Sequence, residues 1–245
     1  MTRLNKKEHN PMSMILGGLQ KNSLIDFPGT VACVVFTSGC NFCCPYCHNP
    51  DLARGKMSPD SPTEADVFDF LEKRKGMLDG VVITGGEPTL HKDLEGFCFK
   101  IKNMGYKIKL DTNGSHPGVL TSLLRRQLLD FVAMDIKSNL EGYPSLVKGD
   151  FQGDAIMETV KILMDRAPAY EFRTTCVRPF IDLALMGDIG GMIKGASHYV
   201  LQHCSRNISV LNPSFFELEN RFFQDQEIVA LQKAVESYVT KCSIR

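Results

Sequence analysis

The chain has 245 residues, of which 43% are hydrophobic, and this length and composition suffice for one sizeable buried core. Basic and acidic residues both number 28, so no net charge attracts nucleic acid or an anionic membrane. The apolar runs are far shorter than the ~20 residues of a membrane-spanning helix, so we expect a cytoplasmic protein that binds neither nucleic acid nor membranes.

Hydrophobic runs and turn signals alternate along the chain and predict six strands with helices between them. Short apolar runs rich in β-branched residues predict the strands, and apolar residues at helical spacing predict the helices. The predicted strands cover 31–36, 80–84, 107–110, 131–134, 170–174 and 199–202. The predicted helices cover 62–75, 92–104, 120–129, 155–166, 183–194 and 224–241.

Six strand–helix units predict an α/β fold with a parallel sheet, and we favour a partial (β/α)6 barrel with an open lateral face. A complete eight-stranded barrel and a doubly wound sheet are the alternatives. Unusual polar residues follow the predicted strands, which favours a barrel, because barrels build active sites at the carboxyl ends of their strands. We expect one domain over 1–245, with 1–30 near the active site and a carboxy-terminal loop and helix over 205–245.

A cysteine-rich loop follows the first predicted strand. Cys40, Cys44 and Cys47 place three thiolates on this loop, and no Cys-x2-Cys pair occurs outside it. Three thiolates suit a cubane iron–sulfur cluster with one iron left for a substrate or cofactor. Zinc closed by His48 is the alternative. The nine cysteines are an odd number and residues 1–10 are polar, so we expect neither disulfides nor a secretory leader.

Cys43 leaves a second register open, in which Cys40, Cys43 and Cys47 supply the thiolates. The adjacent cysteines 43 and 44 cannot both reach one metal comfortably. The Cys-x3-Cys-x2-Cys spacing, with the aromatic Tyr46 before the last cysteine, resembles the signature of the radical S-adenosylmethionine (SAM) enzymes. This resemblance favours Cys44 as the ligand and assigns Tyr46 to the cofactor site. It implies a 4Fe-4S cluster and SAM as cofactors, and a barrel of the radical SAM type.

The second predicted strand leads into Thr84-Gly85-Gly86-Glu87-Pro88. Two glycines allow close backbone approach and a carboxylate follows at once, so a ligand amine would fit, although an ordinary glycine turn is the plainer interpretation. The segment resembles the Gly-Gly-Glu-Pro motif with which radical SAM enzymes hold the amino group of the SAM methionine moiety. The resemblance therefore assigns Gly85, Gly86 and Glu87 to SAM.

Charged residues end the third and fourth predicted strands, in segments 111–114 and 135–137. A turn sequence and a surface ion pair worth only ~0.2–1 kcal/mol would explain them without a ligand. With a zwitterionic sulfonium cofactor, Lys137 meets its carboxylate while Asp111 or Asp135 meets a ribose hydroxyl or a bound cation. The segments resemble those of glycyl-radical-enzyme activating enzymes, where carboxylates and the threonine surround a monovalent cation beside SAM. The residues assigned to the cofactor site here are Asp111, Thr112, Asn113, Asp135 and Lys137.

The fifth and sixth predicted strands also end in polar residues. Arg173 requires acceptors if it is buried, and the SAM carboxylate or a substrate carbonyl would serve, with an ion pair to another strand as the alternative. Gln202 stands where related enzymes contact adenine or ribose, and we assign it to the cofactor. His203 departs from the related pattern, and a histidine at a strand end is more often structural.

Residues 17–29 resemble the amino-terminal segment of one branch, the longer type of anaerobic ribonucleoside-triphosphate reductase activating protein. This implies an oxidoreductase that reductively cleaves SAM and uses the 5′-deoxyadenosyl radical to generate a glycyl radical on that reductase. A flavodoxin or ferredoxin-type protein would donate the electron, and no residue is catalytic beyond the cluster and SAM.

Three other functions remain open. The first is activation of another glycyl-radical enzyme of the pyruvate formate-lyase type. The second is a radical SAM reaction on a small molecule, which would need no partner protein. The third belongs to a different class, a zinc-binding module without enzymatic activity, and metal content would distinguish it.

Overall fold

The protein is described by a computed structural model over residues 14–205, 209–217 and 220–245. Its strands are β1 (Leu16–Ser23), β2 (Ala32–Thr37), β3 (Gly80–Gly85), β4 (Lys107–Thr112), β5 (Phe131–Asp135), β6 (Tyr170–Cys176), β7 (Tyr199–His203) and β8 (Cys242–Ile244). Its helices are α1 (Pro50–Ala53), α2 (Glu64–Lys73), α3 (Leu94–Asn103), α4 (Pro117–Arg125), α5 (Gly153–Arg166), α6 (Leu183–Met192) and α7 (Asp225–Val235). Short 3₁₀ turns lie at Pro88–Leu90, Tyr143–Ser145 and Pro213–Phe216.

The strands of the described ranges form one sheet in chain order from β1 to β8. β1 runs antiparallel to β2, and every later pair of neighbours is parallel. A helix separates each successive pair from β2 to β8. The sheet stays open between β1 and β8, and its six central strands form the predicted partial (β/α)6 barrel, which confirms the fold class.

The six predicted strands correspond to β2–β7, whereas β1, β8 and α1 were not predicted. β1 lacks the alternation of apolar and polar residues that indicates a strand, because Gly17 and Gly18 follow its first residue and residues 20–22 are all polar. Its extended form comes from tertiary pairing, in which Leu19 lies opposite Val35 of β2. A strand that depends on pairing with its neighbour is difficult to predict from its own residues.

Most helix ends differ from the prediction by a few residues, and α4 lies at Pro117–Arg125 instead of 120–129. Contacts in the structure explain two of these differences. α2 begins after Thr63, whose side chain accepts from the Asp66 N–H while the Asp66 carboxylate accepts from the Thr63 N–H. α7 ends at Val235 instead of continuing to residue 241. Beyond it the backbone pairs with the turn before β7, where Gly195 donates to the Tyr238 carbonyl at 2.8 Å. This second contact joins segments far apart in the chain, so it forms only once the sheet is assembled.

Alternate residues of the parallel strands face opposite sides of the sheet. The outer residues, such as Val81, Ile83, Ile108 and Leu110, belong to the large core between the strands and the helices. A second apolar cluster fills the inside of the barrel. Its members are Phe27, Ala32, Val34 and Val82, with Phe36 and Phe131 packed against them. In the described part of the chain, no helix has the length and apolar character to cross a membrane.

Candidate active site

The carboxyl ends of β2–β7 surround a cavity of about 380 Å³. Since one cavity is lined by residues of all six strands, the sheet curves around it. The cavity brings together every residue that the sequence assigned to a cofactor, namely Cys40, Cys44, Tyr46, Cys47, Gly85, Gly86, Glu87, Asp111, Thr112, Asn113, Asp135, Lys137, Arg173 and Gln202. Val34 and Phe36 also line it, so the inner apolar cluster forms its floor.

The cysteine loop presents three of its four thiol-bearing residues to the cavity. Cys40, Cys44 and Cys47 line it, whereas Cys43 does not. The Cys43 N–H donates to the Leu146 carbonyl at 2.7 Å, on the side where the loop meets the segment before α5. The arrangement therefore supports the register with Cys44, as the sequence resemblance predicts.

The segment 146–148 holds the cysteine loop in place. Phe42 forms an antiparallel bridge with Val147, and the Lys148 N–H donates to the Asn41 carbonyl at 2.9 Å. The Lys148 ammonium donates to the Cys40 carbonyl at 3.0 Å. A loop fixed by backbone bonds on one side can keep its thiols directed to the other.

The three thiols fit the ligand set of an iron–sulfur cluster. Burial raises the pKa of Cys40 to about 11 and that of Cys44 to about 12, so each binds iron only by giving up a proton. No group of three or more His, Cys, Asp or Glu among the described residues is arranged to hold a single ion. His48, the fourth zinc ligand in the alternative, has its Nε2 3.8 Å from Cys204 Sγ.

Tyr46 offers the cavity an unused hydrogen-bond donor. Its ring is buried against Phe180, with the centroids 5.5 Å apart. Burial raises its pKa well above the ordinary value, so the hydroxyl stays neutral. Within the described chain this buried hydroxyl has no hydrogen-bond partner. A buried polar group without a partner indicates a ligand that completes it.

Gly85 and Gly86 pack backbone against backbone at the start of the cysteine loop. Gly85 has φ +113°, and a β-carbon there would lie 2.5 Å from the Thr37 backbone. A β-carbon on Gly86 would lie 2.0 Å from the Gly39 carbonyl oxygen. The Glu87 N–H donates to that same oxygen at 2.8 Å. Larger residues would force the end of β3 away from the cysteines.

The Glu87 carboxylate joins β3 to β4. It is 1% exposed and accepts from the Thr89 N–H and hydroxyl, from the Thr112 hydroxyl at 2.7 Å and from the Asn113 N–H at 2.7 Å. Burial raises its pKa despite these four bonds. The sequence analysis assigned this carboxylate to a ligand amine and did not predict these four protein donors.

Charged residues from β4, β5 and β6 form a continuous network beside the cavity. Arg173 donates through Nε to Asp135 at 2.9 Å and through Nη1 to Asp111 at 3.3 Å. Lys137 donates to the other Asp135 oxygen at 2.9 Å, and Lys109 donates to the other Asp111 oxygen. Three cations thus face two carboxylates, leaving one positive charge in excess. That excess suits a ligand carboxylate.

Both aspartates of this network stay ionised. Burial acts to raise the pKa of Asp111, but the charges of Arg173 and Lys109 outweigh it and hold the pKa below its ordinary value. At Asp135 the charges of Arg173 and Lys137 likewise overcome burial and hold the pKa well below the usual range. The ion pairs are therefore present at neutral pH.

The polar end of β7 divides between the cavity and the surface. Gln202 lines the cavity beside Thr175 of β6. His203 does not line it, and its Nε2 lies 3.9 Å from an Asp225 oxygen. Thr84 and Thr175 were not predicted, although strand alternation directs them inward together with the assigned residues.

Both terminal segments reach the site. Gln20 and Asp26 line the cavity, and the Ser23 hydroxyl donates to Asp26. The Asn212 N–H donates to the Pro45 carbonyl at 2.9 Å, so the carboxy-terminal loop contacts the cysteine loop. Residues 1–13 of the predicted amino-terminal segment lie outside the described residues, as do 206–208 and 218–219 of the carboxy-terminal one.

Comparison with known sequences decides the family. The profile described as the Radical SAM superfamily matches residues 34–177, which include the cysteine loop and the ends of β3–β6. This chain belongs to the radical SAM superfamily. The superfamily uses a 4Fe-4S cluster and SAM, which confirms these two predicted cofactors.

Comparison with individual relatives indicates which class of radical SAM enzyme this chain belongs to. A Methanocaldococcus jannaschii protein, named as a glycyl-radical enzyme activating enzyme, is 31% identical over 242 residues, 96% of this chain and 97% of the relative. The pyruvate formate-lyase-activating enzyme of Streptococcus mutans is 33% identical over 116 residues, 44% of this chain and 43% of the relative. The near full-length match confirms the predicted enzyme class, a radical SAM activating enzyme for a glycyl-radical enzyme.

Comparison with a solved structure supports the same fold. Streptococcus suis SuiB bound to S-adenosylmethionine superposes with a TM-score of 0.61 at 14% identity, covering 84% of this chain and 47% of SuiB. At this identity the likeness concerns the fold alone.

Proposed function

We propose that this radical SAM activating enzyme generates the glycyl radical of an anaerobic ribonucleoside-triphosphate reductase, with an electron from a flavodoxin or ferredoxin-type donor. The supporting observation is the amino-terminal segment 17–29, which resembles that of the reductase-activating branch. It forms most of β1 and the following turn, and it contributes Gln20 and Asp26 to the cavity wall. The segment therefore lies where a substrate-specific contact would act.

The tip of the same segment is apolar and open to solvent. The exposed fraction is 75% for Leu24 and 86% for Ile25, immediately before the cavity-lining Asp26. Exposed aliphatic side chains beside a reaction cavity fit a protein surface better than a small polar substrate. This favours a macromolecular partner over the small-molecule alternative.

The chain's own residues divide the work of holding the cofactors. Cys40, Cys44 and Cys47 would hold the cluster, and the Tyr46 hydroxyl and the excess positive charge beside Lys137 would hold SAM. When bound, these cofactors supply the reductive cleavage that yields methionine and a 5′-deoxyadenosyl radical. The apolar floor under the site excludes water from its inner end. No side chain is required to carry a proton.

A second candidate partner is a glycyl-radical enzyme of the pyruvate formate-lyase type. It is favoured by the 33% identity to the S. mutans activating enzyme, whose match covers less than half of each chain. The two candidates use the same chemistry and differ in the partner surface alone. The test must therefore measure SAM cleavage and radical formation separately.

The first experiment measures SAM cleavage without a partner. The protein is reconstituted with iron and sulfide without oxygen, then given dithionite and SAM, and 5′-deoxyadenosine is quantified. Cys44→Ala should lose about 100-fold or more of this product together with cluster iron, because its thiolate is one of three ligands. Cys43→Ala is the matched control and should retain both. The reverse result would assign the other thiolate register.

The second experiment adds each candidate partner. Purified anaerobic ribonucleotide reductase or a pyruvate formate-lyase type enzyme is mixed with the active protein and SAM, and the glycyl radical is recorded by electron paramagnetic resonance. We expect the radical on the reductase. A radical only on the other enzyme would select the second candidate. Formation of 5′-deoxyadenosine with no glycyl radical on either enzyme would contradict activation of both.

A further inference from the structure

Lys109 is a buried cation that the sequence analysis did not assign. It lies in β4 between Ile108 and Leu110, which face the helices, and it points into the barrel with 2% exposure. Its ammonium donates to Asp111 and lies 6.0 Å from the centroid of the Phe131 ring. Lysine is almost never fully buried unless it is paired, so this position serves the carboxylate.

The family resemblance implies a monovalent cation held by Asp111, Thr112 and Asp135, and these residues do not fit one. Each aspartate oxygen already has a cationic partner from the protein: Lys109 and Arg173 on Asp111, and Arg173 and Lys137 on Asp135. The Thr112 hydroxyl donates to Glu87 at 2.7 Å. No oxygen of the three side chains is left without a protein contact.

Charge balance disfavours an added ion as well. The network already has three cations for two carboxylates. A further cation would lie among these three protein cations, and inside the protein their repulsion is screened less than in water. A tethered ammonium, by contrast, is present in every molecule and depends on no dissolved salt.

We propose that the Lys109 ammonium takes the place of the monovalent cation in this enzyme, so that SAM binding does not depend on dissolved potassium or sodium. The proposal rests on the function proposed above only in taking this cavity as the SAM site. Lys109 is a positioning residue. It holds Asp111, Asp111 holds Arg173, and Arg173 orients Asp135 against Lys137 at the cavity.

The test measures SAM affinity of the reconstituted enzyme by calorimetry in potassium, sodium or choline chloride at equal ionic strength. Wild-type affinity should agree within about twofold across the three salts. Lys109→Met keeps the length of the side chain but frees one Asp111 oxygen. Its affinity should fall about tenfold in choline and recover in potassium with saturation. Lys109→Arg keeps the charge and should stay independent of the salt.

A thermal melt gives a second readout that needs neither SAM nor a partner. The melting temperature of Lys109→Met should rise with potassium but not with choline, because an ion that binds only the folded state stabilises it. Lys107→Met, which removes an exposed lysine from the same strand, is the matched control and should show no such response.

Two results would overturn the proposal. One is wild-type SAM affinity that rises with potassium and saturates at constant ionic strength. The other is Lys109→Met binding SAM equally well in choline. If Lys109→Met does not fold, SAM affinity of the wild type and of Lys109→Arg in the three salts still tests the proposal. These outcomes are distinct from a failure of the proposed partner reaction, which would leave SAM binding intact.

Discussion

Two walls of the cavity hold buried carboxylates in different ways. On the wall formed by β3 and β4, Glu87 accepts hydrogen bonds from neutral threonine and backbone groups, and burial raises its pKa. On the wall formed by β4–β6, Asp111 and Asp135 are paired with cations that hold their pKa values down. All three groups are carboxylates, so their roles differ because their partners differ. Neutral donors give Glu87 a structural role, whereas cationic partners make Asp111 and Asp135 part of a charged network beside the cavity.

The difference has structural consequences. Neutral donors around Glu87 are fixed by backbone position, so this carboxylate locks the ends of β3 and β4 together. The cations around Asp135 sit on long side chains that can exchange partners when a ligand carboxylate arrives. We therefore expect substitutions on the first wall to change stability and substitutions on the second to change ligand affinity.

The largest effect is expected from Gly86→Ala on the first wall. The new β-carbon would lie 2.0 Å from the Gly39 carbonyl oxygen, so the backbone beside Cys40 must shift. The melting temperature should fall by the equivalent of about 3 kcal/mol, and iron per chain should decrease. Gly96→Ala in α3 is the control. It meets no atom within 4 Å and should gain about 0.5–1 kcal/mol.

A Gly86→Ala protein that melts like wild type and binds a full cluster would show that the cysteine loop tolerates this displacement. The tight backbone packing of the first wall would then have no role in the site.

A smaller loss of stability is expected from Glu87→Gln. The amide group would replace an acceptor oxygen with a donor against the threonine and backbone donors, at a cost of about 1–3 kcal/mol. Chemical denaturation without SAM measures it. Glu158→Gln on the exposed surface of α5 is the matched control and should leave the free energy of unfolding unchanged. Equal stability of the two variants would argue against a framing role for Glu87.

The smallest effect on stability is expected from Lys137→Met on the second wall. Asp135 would keep Arg173, and the lost pair is partly exposed, so the change should stay below about 1 kcal/mol. SAM affinity should nevertheless fall about tenfold, since a cation at the ligand carboxylate is lost. Calorimetry and a thermal melt on the same sample separate the two quantities.

Lys75→Met removes a comparable ion pair, with Glu72, from the surface. This control should change neither stability nor SAM affinity. If Lys137→Met lowered stability as much as Glu87→Gln while leaving SAM affinity unchanged, the contrast between the two walls would be lost.

Much of the site was predictable because it follows from local sequence and parallel topology. Apolar β-branched runs predict β2–β7, and parallel strands bring the residues that follow them to one end of the barrel. Asp111, Asp135 and Arg173 therefore converge although they are far apart in the chain. The cysteines of one loop needed no long-range information to be recognised.

What the sequence alone determined is the order of strands and helices, the end of the barrel that carries the site, and the residue types gathered there. Only the tertiary structure decided which partner each buried group meets. Lys107 and Lys109 alternate identically in β4, yet one is exposed and the other is buried against Asp111. The two lysines differ in how far along the strand they lie inside the barrel. That position depends on the neighbouring strands, which the local sequence of β4 does not specify.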